Sequence, residues 1–327
     1  MTFIDAIEQH FESFFQRHLT RGVEFSSKIA QYHFSTGGKR LRALIPLQVF
    51  QACGENPEKA LALGCAIEMI HNATLVHDDL QDGDTVRRGK PTVWKKWSPA
   101  QAINGGDAMF EFAVELISEM PIDPARLISV IRAVTAGTLR VIEGQSQEFL
   151  MKDEPFPSFS RYLGVIEGKT AALIETAVTS ALIALGKPQE VVALASNAAL
   201  QIGILFQLQD DLLDLYGEKG RDRVGSDIAE GKVSALIAAF YDRASEAERE
   251  QVKTILTKGR DETTDDDIRT VLSLLESSGA KREVIQNVQT IQQNLRDHAL
   301  AQHEPKVLEL IQGLSAVFLK PIEGLIS

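Results

Sequence analysis

Between Val191 and Gln209 the chain runs 19 residues without a charged side chain, then meets Asp210, Asp211 and Asp214. A stretch that long and apolar is at home either across a membrane or in the core of a large protein. Ser196, Asn197, Gln201, Gln207 and Gln209 interrupt it and the acids follow at once, so it reads as a buried helix and no transmembrane segment is expected. Nearly every other segment repeats at helical spacing too. Val284, Val288, Ile291, Leu295 and Ala299 step by three or four, and Leu63, Ile67, Ile70, Thr74 and Leu75 do much the same. No sustained period-two run marks a sheet. At about 150 residues per domain, 327 residues would make two domains. With no fixed-period repeat and no Pro/Ser-rich linker, the expectation is instead one all-α domain, a single large helical bundle over residues 1–327.

The acids come in two matching groups. His77-Asp78-Asp79-Leu80-Gln81-Asp82 closes the apolar run that begins near Pro57, and Gln209-Asp210-Asp211-Leu212-Leu213-Asp214 closes the uncharged one. Each is spaced D-D-x-x-D, and helical residues four apart differ by about 40°, so Asp78 shares a face with Asp82 and Asp210 with Asp214. Carboxylates at a helix C-terminus oppose the macrodipole and repel one another, a cost that a bound cation offsets. Oxygen donors without thiols or imidazoles favour Mg²⁺ or Mn²⁺. A solvated acidic face accounts for one such group, but poorly for two in matching places. Asp265-Asp266-Asp267 differs, because it precedes an apolar segment, where acids stabilise a helix N-terminus.

Lys and Arg number 34 against 45 Asp and Glu, a net charge of −11 that argues against nucleic acid as a partner. Within that acidic chain lie two basic islands. Gly37-Gly38-Lys39-Arg40-Leu41-Arg42 holds three cations in four positions, and Arg87, Arg88, Lys90, Lys95 and Lys96 fall in ten residues without an acid. They point to a small polyanion beside the metal, and a diphosphate fits both halves. Two resemblances to other motifs fail. Gly164–Thr170 is one residue short of a P-loop and sits in helical patterning, and Glu68-Met69-Ile70-His71 lacks the second E-x-x-H that a di-iron bundle needs. Two cysteines, Cys53 and Cys65, make no disulfide framework, and Met1–Leu19 does not read as a signal peptide, so the expected setting is cytoplasmic.

From Gly37 to Leu236 the ordered set GGKRLR, LVHDDLQDGDTVRRGKPT, Gly106-Asp107, GQSQE, GKT, FQLQDDLLD and GSDIAEGK resembles the trans-isoprenyl diphosphate synthase, or polyprenyl synthetase, family. The resemblance implies a helical bundle around a central cavity, usually a homodimer, with three Mg²⁺ held between the aspartate clusters. By the same implication Asp78, Asp82 and Asp210 are principal ligands and Asp79, Asp211 and Asp214 support them. Lys39, Arg42, His71 and Arg88 match contacts to isopentenyl diphosphate; Arg87, Lys169 and Lys232 match contacts to the allylic diphosphate. Thr170 and Gln207 match residues that line the reacting centre, which with Lys169 makes the expected catalytic set. Glu148 stands where the family commonly has Asp, Ser234 replaces a common Thr, and Asp222 stands in place of a usual lysine whose contact Arg221 or Arg223 would take over.

The implied chemistry is ionisation of an allylic diphosphate, attack by the isopentenyl double bond and loss of a proton. The residue five before the first aspartate looks down the product tunnel in this family, and here it is Ala73, beside Thr74, with Ile70 and Met69 deeper. A small residue there argues against a C15 stop and leaves C20 or longer open, leaning to C25 or beyond, and Ala73→Phe is expected to shorten the product. A class I terpene cyclase shares the fold but carries a different second metal motif. An inactive partner subunit of a heteromeric synthase would not need both clusters intact.

Overall fold

The structure is a computed structural model that describes residues 2–19, 21–217, 225–260 and 262–326. It is helical almost throughout: α1 (Phe3–His18), α2 (Glu24–Ser35), α3 (Leu41–Ala52), α4 (Leu61–Gln81), a two-stranded hairpin of β1 (Val86–Arg87) and β2 (Lys90–Pro91), α5 (Val93–Lys96), α6 (Pro99–Ser118), α7 (Pro124–Asp153), α8 (Phe159–Ile166), α9 (Ala172–Ala184), α10 (Gln189–Tyr216), α11 (Ser226–Ala229), α12 (Ala235–Arg243), α13 (Glu246–Leu256), α14 (Asp265–Ser278), α15 (Ala280–Arg296), α16 (Pro305–Leu319) and α17 (Glu323–Ile326). The all-α expectation holds, and the hairpin pairs only Val86 with Pro91 and Arg87 with Lys90. The chain divides into two compact units, residues 1–138 with 176–196 and residues 139–175 with 197–327.

In the first unit α4 is the central element. Asn56 starts it by accepting the Glu58 N–H at 3.0 Å, which organises a 3₁₀ turn over Pro57–Ala60. From Ala62 to Ile70 α4 is buried on every side, so it needs no polar face until its C-terminal half. Gly83, at φ 73°, ends it just past the Asp82 cap. Rings from α1, α2 and α6 make the adjoining core, with Phe11 4.5 Å from Phe34 and Phe14 5.6 Å from Phe112, each worth about 1.5–3 kcal/mol of burial.

In the second unit α12 is buried from Ala235 to Tyr241 and packs on α15, where Val284, Val288 and Leu295 of the apolar stripe are buried, Ile291 is half-buried, and Ala299 lies exposed beyond the helix end. The acid triplet forms the first turn of α14, with Thr264 and Asp267 exchanging a reciprocal capping pair. Two stretches, Pro57–Gln81 and Gln189–Tyr216, are long and apolar enough to cross a membrane by composition, yet 72% and 50% of their most apolar windows are buried in protein. In Val191–Gln209 the buried positions recur as Val192, Ala195, Ala199, Ile202, Leu205 and Leu208, one face of an ordinary core helix.

Candidate active site

The first D-D-x-x-D divides its acids between two faces of α4. Asp78 and Asp82 are half-buried and belong to a stripe with His71, Thr74 and Leu75, also half-exposed. The Asp82 N–H donates to the Asp78 carbonyl at 2.8 Å, which holds the last turn in register. Asp79 lies on the opposite side with no exposed surface. Arg87 grips its Oδ1 through Nε at 2.7 Å and Nη2 at 2.6 Å, tying the hairpin to the helix. Its Oδ2 is buried without a partner, and burial outweighs Arg87 to raise its pKa above the ordinary aspartate value.

The two basic islands are also divided by the fold. Arg40 is 4% exposed and acts as a bolt: it donates to Glu8 at 2.7 Å and to the Phe34 carbonyl at 3.0 Å and lies over the Phe34 ring. Gly38, at φ 141°, lets the loop pass so close that a Cβ there would meet Arg40 Nη1 at 2.8 Å. Lys39 is left exposed and Arg42 half-buried at the start of α3. Arg42 Nη1 donates to His71 Nε2 at 3.1 Å, and burial with the Arg42 charge holds His71 neutral, well below its ordinary value. Arg88 donates to the Gly37 carbonyl, closing the hairpin onto the loop. Among the described residues the non-glycine positive φ angles are those of Arg40 and Arg88, both 51°, one in the buried bolt and one at the tip of the hairpin.

Beneath this cradle lie residues that spacing alone does not single out. Glu68, 4% exposed, accepts the Ala43 N–H at 3.2 Å and so anchors α3, while Asn72 donates to the Glu68 carbonyl at 2.7 Å. The Glu68–His71 spacing thus joins a scaffold carboxylate to an imidazole paired with Arg42. His33 is 2% exposed, and burial reinforced by Arg87 and Arg88 lowers it to about 3 from 6.5. Between those pH values the unfolded chain binds a proton that the folded chain refuses, so this contribution to stability is complete above pH 6.5 and falls as pH drops toward 3. From pH 7 to pH 5 the loss from His33 is about 2 kcal/mol. Urea unfolding at the two pH values is expected to show it, and His33→Gln to flatten the difference; an unchanged pH slope in that variant would contradict the assignment.

In the second unit the matching motif is again divided. Asp210 is half-buried, whereas Asp211 and Asp214 are each 3% exposed, so Asp210 and Asp214 do not present a common open face as their spacing implies. Asp211 accepts the Tyr162 hydroxyl, the Ala235 N–H at 2.7 Å and the Gln207 amide at 2.9 Å, and burial raises it to about 6. Asp214 accepts Ser226 Oγ at 2.5 Å and the Asp227 N–H at 3.1 Å, which caps α11. Tertiary structure thus uses both acids to fasten the chain that follows α10.

Thr170 Oγ1 donates to Gln207 Oε1 at 2.9 Å, so Thr170, Gln207, Asp211 and Tyr162 form one chain of hydrogen bonds. Lys169 Nζ pairs with Glu148 at 2.5 Å, and Lys232 Nζ with Glu230 at 2.7 Å. Glu167–Ala171 is a π-helical turn where the sequence reads as continuous α-helix; one extra residue per turn re-aims Lys169 and Thr170. Its approach to α7 requires Gly144, where a Cβ would stand 2.1 Å from the Lys169 nitrogen. That contact explains why both GQSQE and GKT begin with glycine. Asp222, Arg221 and Arg223 lie outside the described residues. Tyr162 carries no warning in sequence, because it sits among apolar neighbours that read as core.

The chain-length positions divide likewise. Ala73 and Met69 have no exposed surface and Ile70 is 3% exposed, while Thr74 is half-buried and donates to the His71 carbonyl at 2.7 Å.

The donor set fits Mg²⁺ or Mn²⁺ of one kind. Among the described residues no three His, Cys, Asp or Glu side chains converge to hold an ion unaided. Half-exposed carboxylate oxygens without soft donors suit an ion that keeps its waters and completes its shell with substrate phosphates.

The polyprenyl synthetase family model matches residues 23–275. A short chain isoprenyl diphosphate synthase of Methanothermobacter thermautotrophicus is 34% identical over 71% of this chain and 72% of its own. A geranylgeranyl diphosphate synthase of Methanosarcina mazei is 33% identical over 66% and 67%. Among solved structures, a geranylgeranyl pyrophosphate synthetase from Pyrococcus horikoshii superposes with a TM-score of 0.86 at 28% identity, covering 97% of this chain and 98% of its own. A decaprenyl diphosphate synthase from Rhodobacter capsulatus gives 0.81 at 25% identity, covering 97% and 95%.

Proposed function

Since the chain belongs to the polyprenyl synthetase family and is a prenyltransferase, we propose that it joins isopentenyl diphosphate head-to-tail (1'-4) to an allylic prenyl diphosphate, giving an all-trans polyprenyl diphosphate of C20 or longer. The observation that carries this reading is the stripe on α4, where Asp78 and Asp82 follow His71 and its Arg42 partner on one accessible face. Arg42, with Lys39 and Arg88, holds the isopentenyl diphosphate, and neutral His71 orients the Arg42 fork. Arg87, Lys169 and Lys232 hold the allylic diphosphate. Its C–O bond breaks, the isopentenyl C4 bonds to the allylic C1, and the proton lost from isopentenyl C2 passes to the released diphosphate. The Thr170 hydroxyl and Gln207 carboxamide fix the dipoles at the reacting centre, oriented through buried Asp211. Mg²⁺ or Mn²⁺, three ions by family resemblance, would be held by Asp78, Asp82 and Asp210 and, when bound, supplies positive charge to the leaving diphosphate.

Purified protein given labelled isopentenyl diphosphate and an allylic primer is expected to yield extractable prenyl diphosphate with Mg²⁺ and none without. Hydrocarbon released from primer alone would indicate a cyclase, and no product under any condition an inactive partner subunit.

The absence of an aromatic side chain from the accessible stripe of α4 supports the longer products. Thr74→Phe, which points along that stripe, is expected to shorten the product by at least one C5 unit. Ala73→Phe also shortens it but must displace packed neighbours, at about 1–3 kcal/mol. Chromatography of the dephosphorylated products checks both, and unchanged lengths in the two variants would refute this control.

A homodimer is supported by α7, on which Ile128, Leu139, Ile142 and Leu150 form one exposed stripe, 53%, 61%, 46% and 55% accessible. Leu139→Glu with Ile142→Glu is expected to halve the mass found by light scattering. The free thiols of Cys53 and Cys65 support a cytoplasmic setting.

A further inference from the structure

From Val86 to Gly106 the chain contains five cations, both of its tryptophans and no acid, in a protein of net charge −11. The fold sends these cations two ways. Arg87 turns inward to Asp79, and Arg88, itself exposed, is tied to the Gly37 carbonyl. Lys90, Lys95 and Lys96 are exposed, and among the described residues none of the three has a carboxylate partner. Lys96 Nζ lies 3.8 Å from the centre of the Tyr32 ring and 5.1 Å from that of Trp97, and Lys95 Nζ lies 5.7 Å from Trp94. Trp97 in turn meets Tyr32 edge-on at 5.1 Å and Phe25 at 6.1 Å. Phe25, Lys28, Tyr32 and Ser35 recur at three- and four-residue spacing, hence on one face of α2, and Lys90 reaches that face by donating to the Ser35 carbonyl at 2.7 Å. Phe25 is 45% exposed and Val23, just before α2, 38%. Of the nearby acids, Glu24 is engaged by Lys28 at 2.5 Å, and half-buried Asp84 lends its carbonyl to Trp94 Nε1 at 2.7 Å.

The composition of this face selects its partner. Lysine is depleted from protein–protein interfaces, and arginine is the residue of forked phosphate and nucleic-acid recognition. Lysines whose ammonium groups lie beside tryptophan and tyrosine rings suit the boundary between water and lipid headgroups, where rings enter the interface and ammonium groups meet phosphates. We propose that the α2–hairpin–α5 face docks the protein on an anionic lipid bilayer, Phe25 and Trp97 entering the headgroup layer and Lys90, Lys95 and Lys96 facing lipid phosphates. Because the remainder of the chain is acidic, the same surface charge that attracts this face repels the others and orients the molecule.

The test uses the full chain and phosphatidylcholine vesicles with or without phosphatidylglycerol, and needs no substrate, so it stands apart from the synthase reading. Binding is expected with phosphatidylglycerol and to be reversed by salt. Trp94 and Trp97 are the only tryptophans, so a blue shift of intrinsic emission reports this face alone. Lys95→Ala with Lys96→Ala is expected to weaken partitioning about thirtyfold. Phe25→Ser weakens it with the charge intact, while Lys306→Ala with Lys320→Ala, which removes the same charge elsewhere, leaves it as in the parent. Equal binding to neutral vesicles, parental binding by the Lys95/Lys96 variant, or an equal loss in the Lys306/Lys320 variant would overturn the proposal. So would a tryptophan shift with inorganic polyphosphate as large as that with vesicles.

Discussion

Asp78→Asn is expected to lower turnover about 10²–10³-fold and to raise the Mg²⁺ concentration needed for half-maximal rate, with little change in melting temperature. Asp78 is half-exposed on the stripe that also carries Asp82 and His71, so the substitution removes a charge from the open face and leaves the core untouched. The neighbouring acid serves as the control. Asp79 is completely buried and doubly bonded by Arg87, so Asp79→Asn is expected to loosen the hairpin and lower the melting temperature without changing metal demand. A metal titration and a thermal melt of each variant separate the two roles. If Asp79→Asn moved the metal requirement and Asp78→Asn did not, the division of labour along α4 would be wrong.

The second large effect is on stability. Asp211→Ala is expected to cost about 3–5 kcal/mol, because it strands the buried Tyr162 hydroxyl and Ala235 N–H and takes away the partner of the half-buried Gln207 amide. Tyr162→Phe removes one of these bonds and costs about 1–3 kcal/mol. Urea midpoints measure both, and their double variant is expected to lose less than the sum, since the two groups share one bond. Asp210→Ala, one residue away but half-exposed, is expected to leave the midpoint near that of the parent and abolish most activity. An Asp211→Ala protein as stable as the parent would show that the carboxylate is not the fastener it is taken for here.

How much of this was legible beforehand depended on the kind of signal. Apolar residues at steps of three and four announce α4, α10 and α15, and Gly or Pro punctuates their ends, because helix periodicity and backbone sterics are local properties. The family could be read from ordered motifs for the same reason. The π-turn at Glu167–Ala171 could not, since its extra residue is set by how closely Gly144 admits the neighbouring backbone. Nor could the role of Tyr162, whose hydroxyl finds Asp211 from 49 residues away. Spacing also overstated the acids. It placed Asp214 on the face of Asp210, whereas burial against α11 withdraws it.

The uncharged run, the helical spacing and the two acid clusters were enough, by themselves, to indicate an all-helical chain with paired acidic motifs at the ends of two long helices. Charge pattern and periodicity are written residue by residue, so the sequence determined that much. Which acids face outward, which hold the protein together, and why Lys95 and Lys96 stand on aromatic rings while Arg87 turns to Asp79 were decided only by tertiary packing. Burial is a property of neighbours distant in sequence, and it converts identical side chains in one motif into a half-exposed acid at one position and a structural anchor at the next.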